Sequence, residues 1–291
     1  MLRAKCSSVS LVACLCGLAL SCLTASPVLA DRESVREAKS WTYQLQGDMR
    51  STGKSDADVA VVDPDHTGDP RKLKTKRNGQ KRDVLAYISI GEVEEGRAYM
   101  KSRGKKSWNT GKTQGWEGNY AAKYWDEDWK GIVKARVSKA IEAGYDGVYL
   151  DRVDTYENVK APNGSRKEMI NFVKEVAKEA RSKRGNAAVV VQNAEELLSD
   201  KGYVDAIDGV AKESLYYGVK GKGRRNDDGD IDTSRKLLRK AKDEGKAVYV
   251  VEYLKGEGQS ASKAKAEAER DGFVGNTKAS RNLGGDQQND D

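Results

Sequence analysis

Short apolar runs rich in valine, isoleucine and tyrosine alternate along the chain with longer segments that mix apolar and charged residues. The short runs have the length and composition of β-strands. They occupy residues 41–47, 59–65, 84–92, 147–151, 189–194, 209–214, 248–254 and 272–275, of which the last is the thinnest. Strands that alternate with helices in this way predict an α/β fold.

Three of the longer segments carry helical periodicity. In residues 165–182 apolar side chains recur at helical spacing, and Ser165 together with Glu168 predicts a capping box at the start. Residues 129–143 and 233–244 place apolar side chains among basic ones, and each segment stops before a glycine. These segments are predicted to be helices that cross back over a sheet.

The strands are predicted to close into a barrel. Residues 189–191 and 248–251 are almost continuously apolar, as expected of parallel strands buried on both faces. An open, doubly wound sheet would also satisfy that pattern, but it concentrates its ligand site at one switch point, whereas here polar residues end nearly every strand. We therefore predict a single-domain (β/α)₈ TIM barrel over residues 31–280, with a long insertion between the third and fourth strands.

The first thirty residues have the pattern of an export signal. Arg3 and Lys5 precede a moderately apolar run over residues 9–23, and residues 28–30 (VLA) form a small-residue cleavage site. We expect cleavage before Asp31 and a secreted protein, extracellular or periplasmic, without stable membrane insertion.

Two other fates of this segment stay open. It could remain as an uncleaved membrane anchor, or Cys22 could be lipidated, although no branched residue stands three positions before it. At the other end, residues 281–291 are mostly glycine, asparagine, glutamine and aspartate with little to bury, so a disordered tail is expected.

Composition narrows the chemistry. The four cysteines all lie within the predicted signal, so the mature protein has no thiol for a disulfide or a thiolate metal site. His66 is the single histidine, which excludes multi-histidine zinc sites and a Ser-His-Asp triad. We expect no metal and no cofactor, and any catalysis must then be carried by carboxylates.

The charge pattern argues against nucleic acid as a partner. Loss of Arg3 and Lys5 with the signal leaves 50 basic against 45 acidic side chains. These charges alternate along the chain, which is typical of solvated helix faces. We expect a monomer that does not bind nucleic acid.

Acidic and amide side chains follow most of the predicted strands. They are Asp63, Asp65, Glu92, Glu94, Asp151, Asp154, Gln192, Asn193, Glu213 and Glu252. In a (β/α)₈ barrel the strand ends converge on one face, so these groups should line one cleft. Carboxylates crowded in this way raise the pKa of at least one of them, as general acid catalysis requires.

Several of these residues could have structural duties instead. Asp63 could cap a turn before Pro64, and Asp154 or Glu94 could cap the helix that follows its strand. Asp151 is harder to explain structurally because it ends an apolar run, where a charge is costly unless it is used. Glu213 and Glu252 support the same argument less strongly, and strand position does not choose between them.

Five motifs in consistent order resemble glycoside hydrolase family 114, the endo-α-1,4-polygalactosaminidase-like barrels. They are residues 41–47 (WTYQLQG), 87–92 (YISIGE), 144–151 (GYDGVYLD) followed by 153–156 (VDTY), 192–198 (QNAEELL) and 207–213 (IDGVAKE). The resemblance implies a two-carboxylate mechanism, with Asp151 as nucleophile and Glu213 as general acid/base. Residues 93–100 lack the aromatic-rich pattern expected there, so one sugar-stacking surface should differ.

The resemblance also implies a polysaccharide substrate, for which a cationic amino-sugar polymer is a candidate. If its amines are free, Asp63, Asp65, Glu92 and Asp154 could hold ammonium groups by charge-assisted hydrogen bonds. Tyr87, Gln192, Asn193, Glu252 and Trp125 complete the predicted substrate-binding set. The positive balance of the mature chain opposes long-range steering of such a polymer, so attraction must be local to the cleft.

The insertion supplies candidate aromatic surfaces. Trp116 and Trp125 could stack against sugar rings, whereas Trp129, at a helix start, is better explained as core. His66 fits a solvated histidine better than a site residue.

Two rival functions are also compatible with the sequence. One is a catalytically inactive polysaccharide-binding or matrix barrel that has kept its acidic cleft. The other is a metal-dependent deacetylase, which the lack of histidines disfavours. A retaining reaction requires the two carboxyl groups about 5 to 5.5 Å apart, and a wider gap would indicate inversion.

Overall fold

The structure is a computed structural model that describes Met1 and residues 30–101, 107–113, 117–254 and 258–278. The predicted export signal up to residue 29, the four cysteines, Trp116 and the predicted tail lie outside the described residues. No described helix has both the length and the apolar character needed to cross a membrane.

Eight strands form one sheet in which every pair of hydrogen-bonded neighbours is parallel. They are β1 (Trp41–Gln44), β2 (Val59–Val62), β3 (Asp83–Ser89), β4 (Gly147–Asp151), β5 (Ala188–Gln192), β6 (Gly209–Glu213), β7 (Ala247–Tyr253) and β8 (Val274–Lys278). Side chains connect the first and last strands, since the Trp41 indole donates to the Val274 carbonyl at 3.1 Å and the Asn276 amide donates to the Trp41 carbonyl at 3.2 Å. The predicted (β/α)₈ barrel is confirmed.

The α-helices of the described chain are α1 (Ala30–Glu37), α2 (Arg50–Lys54), α3 (Pro64–Thr67), α4 (Ala98–Lys101), α5 (Glu127–Ala143), α6 (Thr155–Asn158), α7 (Ser165–Lys183), α8 (Lys201–Ala206), α9 (Asp228–Asp243) and α10 (Gln259–Arg270). Short 3₁₀ helices lie at Pro70–Leu73 and Glu195–Ser199. The insertion between β3 and β4 contains an antiparallel sheet of Glu92–Glu94, Asn119–Ala122 and Asn109–Lys112.

Helix boundaries depart from prediction where capping differs. The prediction of a capping box at the start of α7 is wrong. Gly164 occupies the cap position, and the Ser165 hydroxyl instead accepts from the Ala161 amide at 3.0 Å. Helix α5 begins two residues earlier than predicted because the Asp126 carboxylate accepts from the amides of Asp128 and Trp129.

Alternating side chains on each strand divide the core into two parts. On β7, Tyr249, Val251 and Tyr253 belong to the buried cluster inside the barrel, while Val248 and Val250 pack in the layer between sheet and helices. Because the strands are covered on both faces, both sets are apolar. The same alternation decides which strand-end polar groups reach the barrel interior.

Helix α1 covers the end of the barrel at which the strands begin. The Tyr249 hydroxyl inside the barrel donates to the Val35 carbonyl at 2.5 Å. The fully buried Asp208 carboxylate pairs with Arg32 at 2.8 Å and Arg36 at 2.6 Å. Access to the barrel interior is therefore from the opposite end, where the strands finish.

Candidate active site

A cavity of about 1040 Å³ opens at the carboxyl ends of the strands. Its described lining includes eleven carboxylates but only four lysines and arginines. The carboxylates belong to Asp63, Asp65, Glu92, Glu94, Glu117, Asp151, Asp154, Glu157, Glu195, Glu196 and Glu213. The cavity is thus strongly acidic, although the chain as a whole carries a formal charge of +7.

Asp151 ends β4 and faces the barrel interior. Its Oδ2 accepts from the Tyr87 hydroxyl at 2.5 Å, and its Oδ1 accepts from the backbone N–H of Arg152 at 2.6 Å. Burial, followed by the negative charge of Glu213, raises the pKa of Asp151 to about 7, while the Tyr87 hydrogen bond acts in the opposite direction. Tyr87, predicted as a substrate contact, is therefore already bonded to a predicted catalytic carboxylate.

Glu213 ends β6 and lines the same cavity. Its Oε1 accepts from the Tyr253 hydroxyl at the end of β7, and its Oε2 lies 3.5 Å from Asn193 Nδ2. The Asn193 Oδ1 in turn accepts from the Glu213 backbone N–H at 3.1 Å. Glu213 is thus held through its Oε1 by Tyr253 at the end of β7, and through its backbone N–H by Asn193, which follows β5.

Left-handed backbone conformations concentrate at this cavity. Among the described residues, those other than glycine with positive φ are Arg152 (61°), Asn193 (58°), Ala194 (56°) and Ser214 (54°), and all four line the cavity. Each such conformation costs a residue that has a Cβ about 1 kcal/mol or more in conformational free energy. Two of the four directly follow Asp151 and Glu213, so each strand turns away sharply while its last carboxylate stays at the barrel mouth.

Asp63 and Asp65 reach the cavity wall but are already paired with Arg97. The guanidinium lies 2.7 Å from Asp63, 2.8 Å from Asp65 and 2.7 Å from Glu94. Asp63 also accepts from the Asp65 amide, so the turn-capping role considered from the sequence is present as well. Burial raises the pKa of Asp65, but the positive charges of Arg136 and Arg97 outweigh burial, so the pKa lies below its usual value. These two carboxylates are largely neutralised by the protein itself.

Glu92 and Asp154 line the cavity together with Arg152, and each interacts with its guanidinium. Glu92 accepts from Asn119 at 2.8 Å and lies 3.5 Å from the Arg152 guanidinium. Burial raises the pKa of both carboxyls, with Arg152 opposing the rise in each case. Gln192 is 3% exposed in the same cavity, and its Oε1 has no hydrogen-bond partner within the described chain.

Glu252 and Trp125 are not brought to the cavity. Glu252 is 1% exposed and accepts from the amides of Tyr216 at 2.8 Å and Tyr217 at 3.1 Å. Because it stands between the inward-facing Val251 and Tyr253, its side chain points out of the barrel. Trp125 packs edge-on against Tyr124 with ring centroids 5.0 Å apart, so it is not placed as a platform for sugar in this cavity.

Several groups of the site were not predicted from the sequence: the side chains of Tyr253, Arg97 and Arg152, and the cavity carboxylates of Glu117, Glu157, Glu195 and Glu196. Tyr253 could have been found from strand alternation, because it is two residues beyond inward-facing Val251. No comparable sequence pattern predicts Arg97 or Arg152 as site residues. Arg97 belongs to the insertion, and Arg152 is an arginine that follows a strand, a residue type common on protein surfaces. The exposed His66 lines the cavity edge as well.

The raised pKa of Asp151 leads to a prediction on stability. The folded protein holds this proton more tightly than the unfolded chain, so ionised Asp151 costs stability as pH rises from about 4 to 7, and the cost is constant above that range. Asp151→Asn should therefore change stability by less than about 1 kcal/mol at pH 4 and raise it by as much as about 4 kcal/mol at pH 8, because about three pKa units correspond to about 4 kcal/mol. Urea unfolding at pH 4, 6 and 8 measures this difference.

Asp205→Asn provides a control of opposite sign. A hydrogen bond from Lys201 lowers the pKa of this exposed carboxyl, so its loss removes a stabilising contribution at neutral pH that is absent in acid. A stabilisation by Asp151→Asn that is the same at all three pH values would contradict the burial account.

Comparisons with known sequences identify relatives of the chain. The sequence model of glycoside hydrolase family GH114 matches residues 24–288. An uncharacterised protein of Methanocaldococcus jannaschii is 36% identical over 233 residues, which cover 74% of this chain and 66% of that protein. An uncharacterised protein of Deinococcus radiodurans is 31% identical over 223 residues, covering 73% of this chain and 71% of its own length. The chain thus spans about two thirds of the length of these relatives.

Solved structures share the fold. The glycoside hydrolase domain of PelA from Pseudomonas aeruginosa superimposes with a TM-score of 0.68 at 20% identity, over 84% of this chain and 96% of that one. Aspergillus fumigatus Ega3, crystallised in complex with galactosamine, gives a TM-score of 0.65 at 19% identity, over 85% of this chain and 93% of its own.

Proposed function

Because the chain belongs to glycoside hydrolase family GH114, we propose that it is an endo-acting glycosidase that cleaves α-1,4-linked galactosamine-containing polysaccharide, with Asp151 and Glu213 as its catalytic carboxylates. Family membership supports glycosidase activity, whereas the substrate, the endo mode and the residue roles are our proposal. The observation that carries it is one acidic cavity in which two strand-end carboxylates are each held by a tyrosine hydroxyl.

The hydrogen bonds favour different roles for the two carboxylates. Both oxygens of Asp151 accept good hydrogen bonds, which stabilise its ionised form and hold it in place as a nucleophile. Glu213 has one oxygen bonded to Tyr253, and its other oxygen has only the long 3.5 Å contact to Asn193 among the described residues. That second oxygen is suited to carry and release a proton.

The proposed reaction has two steps. The Asp151 carboxylate attacks the anomeric carbon while Glu213 gives its proton to the glycosidic oxygen, so the C–O bond breaks and a glycosyl ester forms. Glu213 then takes a proton from water, which attacks the ester and releases a sugar of retained configuration. Protonation of Glu213 also removes the charge that helps to raise the pKa of Asp151, so the productive protonation states support each other.

The distribution of unpaired charge supports a cationic substrate. Asp63 and Asp65 are paired with Arg97, so the ammonium-binding role falls on the rest of the lining. There, burial and the neighbouring charges of Asp154, Glu196 and Glu195 raise the pKa of Glu157. Lys212 already pairs with Glu195 at 2.9 Å. An amine would therefore be attracted chiefly to Glu157, Asp154 and Glu196, whose mutual repulsion it would relieve. The bound galactosamine of Ega3 is consistent with this chemistry.

We also propose that residues 1–30 direct export and are removed. Intact mass of protein recovered from the culture medium or periplasm should correspond to a chain that begins at Asp31. Retention of the segment in a membrane fraction would support the uncleaved anchor instead.

The test compares polymers that differ in one property at a time. Purified residues 31–291 are incubated with α-1,4-polygalactosamine, partly deacetylated galactosaminogalactan, its fully N-acetylated form and β-1,4-linked chitosan, and oligomers are followed by mass spectrometry. We expect oligomers of mixed length from the first two polymers and none from chitosan. Cleavage confined to the acetylated polymer would overturn the cationic-substrate proposal.

Two further measurements complete this test. Polymer binding without release would identify the inactive polysaccharide-binding barrel. NMR of the first product formed should show the α-anomer, whereas initial β-anomer would establish inversion and remove the covalent step.

A further inference from the structure

We propose that Tyr253 is a positioning residue that holds Oε1 of Glu213 and thereby makes Oε2 the oxygen that transfers the proton. This inference rests on the proposed function of the cavity. It concerns a side chain that strand-end motifs did not identify.

The location of Tyr253 supports a specific task. It is the last residue of β7, is 8% exposed, belongs to the cluster inside the barrel and lines the cavity. Strands β7 and β6 are adjacent, with Val251 paired to Glu213, so Tyr253 stands just beyond that carboxylate. Its hydroxyl donates to Glu213 Oε1.

This contact selects one oxygen for proton transfer. A proton on Oε1 would face the hydroxyl hydrogen that Tyr253 already directs there, so the proton of the acid form belongs on Oε2. Oε2 is 3.5 Å from Asn193 Nδ2, which is too long for a strong hydrogen bond. In the first step the Oε2 proton passes to the glycosidic oxygen, and in the second step Oε2 takes a proton from water.

Tyr149 shows that a tyrosine inside the barrel does not necessarily form a hydrogen bond with a catalytic carboxylate. Its side chain is fully buried, and its hydroxyl has no hydrogen-bond partner within the described chain. The charges of Glu213 and Asp151 raise its pKa further after burial, so it lies near both carboxylates without bonding either. Tyr149→Phe is therefore a matched control for Tyr253→Phe.

The experiment measures kcat/KM of the purified protein and both variants on polygalactosamine and on an aryl α-glycoside of a galactosamine oligomer with a dinitrophenol leaving group. Tyr253→Phe should lose about 10- to 100-fold on the polymer, with little change in KM, as expected for impaired acid catalysis. The loss should fall below about threefold on the aryl substrate, whose leaving group needs no proton. Tyr149→Phe should match the unmodified protein on both substrates.

A pH profile separates positioning from simple packing. Loss of the Tyr253 donor makes ionisation of the acid less favourable, so the alkaline limb of kcat/KM should move to higher pH in Tyr253→Phe alone. An equal loss on both substrates, a change in KM only, or an unshifted pH profile would overturn the inference. Absence of release by the unmodified protein would instead overturn the proposed function, so the two failures are distinguishable.

Discussion

Asp151→Asn and Glu213→Gln are each expected to lower kcat/KM on polygalactosamine by about 10³-fold or more. Asparagine cannot form the glycosyl ester, and glutamine cannot donate a proton to the glycosidic oxygen. Both replacements keep the size of the side chain, and neither carboxylate anchors the main chain beyond its own strand end. Initial rates of oligomer release, with urea unfolding as a check on folding, measure the effect.

Azide distinguishes the two roles. With Asp151→Ala, azide should occupy the vacated space and yield a glycosyl azide of inverted configuration. With Glu213→Ala and the aryl substrate, the ester still forms, and azide should attack it to yield the retained product. Undiminished polymer cleavage by both carboxamide variants would refute the assignment, and the opposite stereochemistry would exchange the roles.

Glu252→Gln is the matched control, because strand position alone made Glu252 an equal candidate. Its two oxygens accept from the amides of Tyr216 and Tyr217, and glutamine retains only one acceptor. We expect a lower unfolding temperature and a kcat/KM within about threefold of the unmodified protein. An inactive but folded Glu252→Gln beside an active Glu213→Gln would transfer the acid role to Glu252.

The difference between these two glutamates shows what a strand-end rule can and cannot predict. Apolar runs located the strands, and the residue that ends β4 or β6 was correctly placed at the barrel mouth because parallel strands finish on one face. That rule uses only the position along a strand. Whether a side chain faces inward depends on alternation, and Glu252, between Val251 and Tyr253, faces outward.

Other features depend on contacts that no local pattern encodes. Arg97 comes from the insertion, 34 residues after Asp63, and only the folded chain brings the two together. The left-handed conformations of Arg152 and Ser214 were equally hidden, because such turns are normally signalled by glycine or asparagine. These unfavourable backbone conformations occur in residues that line the cavity. Such a location is expected where the geometry of a functional site is kept at the expense of local backbone preference.

Gly147→Ala is expected to destabilise the fold by about 3 kcal/mol or more and to lower the unfolding temperature by roughly 6 to 12 °C. Gly147 opens β4 and pairs with Ala188 on β5. A Cβ at this position would lie 2.2 Å from the Ala188 carbonyl oxygen and 2.8 Å from its amide nitrogen. Because both atoms belong to the backbone of a hydrogen-bonded strand, no side-chain rotation relieves the overlap, and the two strands must separate.

The effect should extend to catalysis, since β4 carries Asp151 four residues further on, while Glu213 is carried by a different strand. A shift of about 1 Å between reacting groups can cost about 10²-fold in rate. Gly131→Ala is the control. This exposed glycine is the fifth residue of α5 and has open space around the new Cβ, so the variant should gain about 0.5–1 kcal/mol in free energy of unfolding and keep its kcat/KM. An unfolding temperature of Gly147→Ala equal to that of the unmodified protein would contradict this prediction. It would show that close packing of β4 against β5 does not hold Asp151 in place.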